Sequence, residues 1–182
     1  MNMNNITYKQ DTGFVLWLTG LPSSGKSTLA ARVAQALRAR QAPVLVLDGD
    51  AVRAALRPTP GYDPSSRDHF YETLANLAAL AMEQGLLVLV PATANRRAFR
   101  ERARERCGPE RFAELFVDTP VDVCASRDSK GLYRASRDGA VAELPGVGAE
   151  YERPERPALV VVAGEEGAAE RVAEWLVVGR LP

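Results

Sequence analysis

Phe14-Val-Leu-Trp-Leu-Thr-Gly20-Leu-Pro-Ser23-Ser24-Gly25-Lys26-Ser27-Thr28 decides the fold of this chain. Phe14–Leu18 is apolar without alternation, the mark of a strand covered on both faces. Gly20 to Thr28 then fits G-x-x-x-x-G-K-[ST], and a helical pattern over Ser27–Arg40 follows at once. Gly20 and Gly25 permit backbone conformations that strain other residues, so successive amides of the loop, Ser23 and Ser24 among them, can converge on phosphate oxygens. The helix N-terminus adds its partial positive charge. In that arrangement Lys26 reaches the β- and γ-phosphates and the Ser27 hydroxyl is placed on Mg²⁺, with Thr28 closing the loop. The expected ligand is therefore ATP.

Working outward, the apolar runs Val44–Leu47, Leu86–Val90, Leu115–Val117 and Leu159–Val162 read as further buried strands. Helical patterns fill the gaps. Arg67–Gln84 carries Phe70, Leu74, Leu77, Ala78 and Met82 on one face and stops at Gly85. Ala98–Arg106 is so charged that most of it is expected in solvent, and Glu166–Leu176 turns Val172 and Leu176 inward. Strands alternating with helices predict one doubly wound α/β domain, a mostly parallel sheet with helices on both faces. The domain is expected over residues 13–182, behind a polar tail, 1–12. In such sheets ligands sit beyond the carboxyl ends of the strands.

Composition narrows the classes of function. Lys and Arg number 23 and Asp and Glu 23, so no global field draws the chain to nucleic acid or to an anionic membrane. No run approaches the length of a membrane span, and Met1 to Gln10 lacks the apolar core of a secretory leader. Cys107 and Cys124 show no metal-ligand spacing, and such sparse use suits a reducing cytoplasm with both as packing residues. A small molecule is the expected partner.

Asp48-Gly49-Asp50 closes the second strand beside the loop. One carboxylate there can help hold Mg²⁺ and the other can take a proton from an attacking hydroxyl. The plainer alternative is a strand-to-helix turn with Asp50 as helix N-cap. Arg53, Arg57 and Arg67 follow as candidate contacts to an anionic acceptor, against the alternative of solvated helix faces. Arg127-Asp-Ser-Lys130-Gly-Leu-Tyr133 opens a long, glycine- and proline-rich stretch reaching Pro157. Such a stretch reads either as a passive surface loop or as a lid, over about 127–157, that carries cations over the nucleotide and excludes water. The single histidine, His69, falls inside a helical pattern and reads as a surface or packing residue.

Taken together, these motifs resemble the adenylylsulfate (APS) kinases, P-loop enzymes that phosphorylate the 3′-hydroxyl of adenosine 5′-phosphosulfate. The resemblance runs from Gly13 to about Trp175. It rests on the loop itself, Leu47-Asp-Gly-Asp50 with Val52-Arg53, Arg67-Asp68, Val117-Asp118, the Lys130-Gly-Leu-Tyr133 segment, Gly146 and Tyr151-Glu-Arg-Pro154. It implies Lys26, Asp50 and Lys130 as catalytic residues, Asp50 being base or orienter and Lys130 a lid cation near the transferred phosphate. It places Arg127 against the donor adenine and Arg53 and Arg67 on the phosphosulfate end of the acceptor, and it implies a homodimer.

Departures from the family pattern fall on the acceptor side. Ala51 stands where the family has Asn, His69-Phe70 where it has Glu-Asn, and Thr73 where it has Arg. Ala92 to Arg97 replaces Phe-Ile-Ser-Pro-Tyr-Arg, Ala142 replaces a lysine, Leu144 a stacking Phe, and Pro145 a Thr. Tyr62 remains as an aromatic able to flank an acceptor adenine. The acceptor contacts are thus expected from Asp50, Arg53, Tyr62, Arg67, Phe70, Lys130 and Leu144. Three readings stay open: an APS kinase, a related kinase for another small acceptor, and a nucleotide-binding regulatory module without turnover.

Overall fold

The computed structural model describes residues 13–128, 130–139, 144–162 and 164–178. The tail expected over 1–12 and the exchange at Ala142 lie outside the described residues. In chain order the elements are β1 (Phe14–Thr19), α1 (Lys26–Ala39), β2 (Val44–Val46), α2 (Gly49–Ala55), α3 (Pro64–Glu83) and β3 (Leu87–Pro91). There follow α4 (Arg97–Cys107), β4 (Phe112–Asp118), α5 (Val121–Arg127), α6 (Leu132–Arg137), β5 (Leu159–Val162) and α7 (Ala168–Val177).

The five strands form one parallel sheet in the order β2-β3-β1-β4-β5. The doubly wound α/β class expected from the strand and helix alternation is the one observed. Because successive side chains of a strand point to opposite faces, one apolar run feeds two cores. Leu16, Leu18, Leu87, Leu89, Leu115 and Val117 pack in the cluster that includes α1 and α7. Val15, Trp17, Val88 and Val90 pack in the cluster that includes α3 and α4. The chain crosses from β3 to β4 around β1, so β1 sits where the winding reverses. A crevice therefore opens at its carboxyl end, where the glycine loop begins.

Four local readings are corrected. The fourth strand begins at Phe112, not Leu115, and takes in Glu114, whose carboxylate accepts from Arg100 Nε at 2.9 Å. That partner lies on α4, most of which faces solvent as expected, but the buried side, Phe99, Arg100, Ala103 and Cys107, includes a charged residue that the reading placed in solvent. The third helix starts at Pro64 because Asp63 caps it, accepting from the Ser66 amide at 3.0 Å. The stretch after Arg127 is not wholly irregular. Asp128 accepts from the Tyr133 and Arg134 amides, both at 3.0 Å, and so starts α6.

Both cysteines are buried, as packing residues should be, and burial pushes the Cys107 thiol up to about 11. Among the described residues no helix is long and apolar enough to cross a membrane.

Candidate active site

The loop after β1 is shaped by its neighbours. At Gly20 a Cβ would stand 2.6 Å from the Val117 carbonyl oxygen and 2.9 Å from Ser24 Oγ, so only glycine lets the loop lie against β4. Gly25 has φ +102° and caps α1, and Ser23 also takes a positive φ. The loop is tied from outside by Thr119 Oγ1, which donates to the Ser24 carbonyl at 2.9 Å, and by Tyr133 Oη, which donates to the Pro22 carbonyl at 3.0 Å. Arg127 NH1 reaches the Ser24 carbonyl at 3.5 Å.

Lys26 is buried and its ammonium is held inside the loop by the carbonyls of Gly20 at 2.9 Å and Leu21 at 2.7 Å. Burial lowers its pKa to about 8, with Asp50 pulling the other way. Ser27 Oγ donates to Asp48 Oδ2 at 2.5 Å, while Asp48 Oδ1 accepts from the amides of Asp50 and Ala51 at 3.0 and 3.2 Å. Asp48, rather than Asp50, is thus the N-cap of α2. Capping by Asp48 leaves the Asp50 side chain for another partner, and it forms an ion pair with Lys130 Nζ.

The loop, Asp50 and Lys130 line a common cleft of about 1850 Å³. Arg53, Tyr62, Arg67, Phe70, Arg127 and Leu144 also line it, so the structure brings most of the predicted set together. Gly20 and Asp48 do not line it, Asp48 meeting it through Ser27. Arg57 also stands apart, folded back on the end of α2 with NH1 donating to the carbonyls of Ala54 and Leu56. His69 is exposed and does not line the cleft.

Arg53 is engaged more than expected. Its guanidinium carbon lies 3.7 Å from the Phe70 ring centroid and 4.6 Å from that of Tyr62, and NH1 donates to the carbonyls of Pro60 and Gly61 at 3.1 and 2.6 Å. Phe70 is buried while Tyr62 keeps 64% exposure, so Arg53 and Tyr62 form a stacked shelf with an open outer ring. Leu144 packs with Cys124 and Tyr133 at the edge of the cleft.

Behind the cleft wall, hydrogen bonds that no motif announces tie the strand ends together. Thr19 Oγ1 donates to the Thr93 carbonyl at 2.7 Å, so its contact with Tyr151 Oη at 2.9 Å uses the tyrosine proton. Burial pushes the Tyr151 phenol up to about 12, keeping it a donor. Tyr71 Oη accepts from the Ala94 amide at 3.0 Å.

A phosphate loop facing an acidic strand end, with lysines on two sides of one cleft, defines a P-loop phosphotransferase. The model of the family described as adenylylsulphate kinase matches residues 12–162. This chain belongs to that family, whose nucleotide substrate is ATP. An adenylyl-sulfate kinase of Synechococcus sp. (strain JA-3-3Ab) is 40% identical over 158 residues, covering 87% of this chain and 89% of the relative. One of Enterobacter sp. (strain 638) is 42% identical over 145 residues, covering 80% and 72%. Among solved structures, a Mycobacterium tuberculosis APS kinase in complex with AMPPNP and APS superposes with TM-score 0.86 at 34% identity, covering 91% of this chain and 98% of that one.

Proposed function

We propose that the protein transfers the γ-phosphate of ATP to the 3′-hydroxyl of adenosine 5′-phosphosulfate, giving 3′-phosphoadenosine 5′-phosphosulfate and ADP. The observation that carries this reading is the meeting of Asp50 and Lys130 in one cleft with the phosphate loop. Asp50 takes the proton as the acceptor oxygen bonds to the γ-phosphorus and the bridge to the β-phosphate breaks. Lys26 and Lys130 offset the charge on the transferred group, while the loop amides and Arg127 hold the donor. Phosphoryl transfer asks little more of a protein than such positioning and charge stabilisation.

On the acceptor side, Tyr62 offers its open ring to the adenine, and Arg53 and Arg67 offer positive charge to the phosphosulfate. Phe70 and Leu144 form the apolar walls. The pair Ser27 Oγ and Asp48 Oδ2, 2.5 Å apart beside the loop, fits Mg²⁺, which takes hard oxygen ligands, few of them from protein. Ser27 and Asp48 would hold the ion, which would supply charge neutralisation to the phosphates. A cytoplasmic setting, supported by the two free buried cysteines, and a homodimer belong to the same proposal.

A second reading keeps the chemistry and changes the acceptor. It is favoured by Arg53, whose NH1 is already engaged by two carbonyls and whose plane is stacked on Phe70. ADP release with Mg²⁺ and ATP, measured with and without APS, separates the two. APS-dependent release with a 3′-phosphorylated product is expected. ATP binding without it would transfer the activity to another hydroxylated anion.

A further inference from the structure

Arg100 lies on α4, has no exposed surface, and does not line the cleft. Its guanidinium nevertheless joins three separate parts of the chain. Nε donates to Glu114 on β4 at 2.9 Å, NH1 to the Ala94 carbonyl at 2.5 Å, and NH2 to the Glu152 carbonyl at 2.8 Å. Only a planar fork of fixed donors meets three such acceptors, and a lysine in its place would act as a single point.

The two backbone segments it grips are also laced to each other. Asn95 Nδ2 donates to the Glu150 carbonyl at 3.0 Å, the Glu152 amide to the Asn95 carbonyl at 2.8 Å, and the Arg97 amide to Glu152 Oε2 at 2.7 Å. Between them Tyr151 reaches Thr19, which holds the Thr93 carbonyl. Ala94 is fully buried with φ +40°. A non-glycine residue keeps that conformation only where its surroundings over-determine it. Here the amide is held by Tyr71 and the carbonyl by Arg100. Ala92, Thr93 and Asn95 line the cleft with Asp50 and Arg53, whereas Glu150–Glu152 is the chain returning from Leu144.

We propose that Arg100 is a positioning residue: it locks the cleft wall after β3 and the returning segment Glu150–Glu152 into one unit, and so sets where the acceptor sits. This rests on the reading of the Asp50 side as the acceptor side. A buried ion pair is poor evidence of stabilisation, since apolar residues of similar volume often replace one without loss. Positioning and stability therefore separate by experiment.

The double variant Arg100→Met/Glu114→Gln removes the fork and leaves no unpaired buried charge. It is expected to fold with a Tm near that of the parent, to lose roughly ten- to a hundredfold in kcat/KM for APS, and to keep the KM for ATP. Glu114→Gln alone, which leaves both carbonyl contacts of Arg100, is expected to keep the acceptor KM. Amide exchange in the double variant should accelerate together at 93–95 and 150–152 and remain unchanged in α1. Parental acceptor kinetics in a folded double variant, or faster exchange in only one segment, would overturn the proposal. If the parent shows no APS-dependent turnover, the reading of the acceptor fails instead, and the exchange pattern alone decides the role of Arg100.

Discussion

At the scale of single residues, the site depends on how burial and charge divide the work between Lys26 and Asp50. Burial holds Lys26 near pKa 8, against 10.5 for the free side chain. Between those values the unfolded chain binds more protons than the folded one. The stability contribution of this group therefore rises with pH across that window, by up to about 3 kcal/mol. Bound phosphates favour the charged ammonium, so ATP binding near pH 9 should take up a proton. Calorimetry in two buffers of different ionisation enthalpy reads that uptake, and Lys26→Met should abolish it. Asp50, cap-free and paired with Lys130, is expected to act on the acceptor hydroxyl. Asp50→Asn should lower kcat by roughly 10²–10⁴ while leaving ATP affinity nearly unchanged; equal losses in both would remove Asp50 from the chemistry.

At the scale of elements, turns and caps aim these groups. Asp48 serves α2 with one oxygen and Ser27 with the other. Asn caps a helix as well as Asp does, so Asp48→Asn should keep the Tm and raise the Mg²⁺ concentration needed for half-maximal turnover. An unchanged requirement would exclude Asp48 from holding the ion. Gly146 has φ +89°, and a Cβ there would stand 2.5 Å from Leu21 Cδ2, next to the phosphate loop. Gly139 has φ +75° with nothing within 4 Å. Both alanine variants should carry the conformational cost, about 1 kcal/mol. Gly146→Ala alone should also raise the KM for ATP, because Leu21 must move. Denaturant midpoints and nucleotide kinetics of the two variants check this.

At the scale of the molecule, the sheet brings distant motifs into one cleft, and the ion pair of Arg100 and Glu114 ties α4 to β4 behind it. Removing one partner leaves the other charge buried, so Glu114→Ala, which strips Arg100 of its carboxylate and also ends the 3.5 Å contact of Arg104, should cost about 3–5 kcal/mol in urea unfolding.

The fold class, the phosphate loop and the strand-end carboxylates were legible in the linear chain because each is a local pattern. An unalternating apolar run, glycines at fixed offsets and a helical period declare themselves within some twenty residues. Lys130 was legible as part of a motif, and its contact with Asp50 was not. What the tertiary structure alone decided is which side chains are already taken. Arg53 looks in sequence like a free anion contact, yet it lies stacked between Phe70 and Tyr62 with NH1 on two carbonyls. Arg100 looks solvated within a charged helix, yet it is fully buried. Asp48 caps the helix that Asp50 was the candidate to cap. The reason is physical: a polar group's role depends on which donors and acceptors lie within hydrogen-bond reach once water is excluded, and that depends on the packing of segments far apart in the chain.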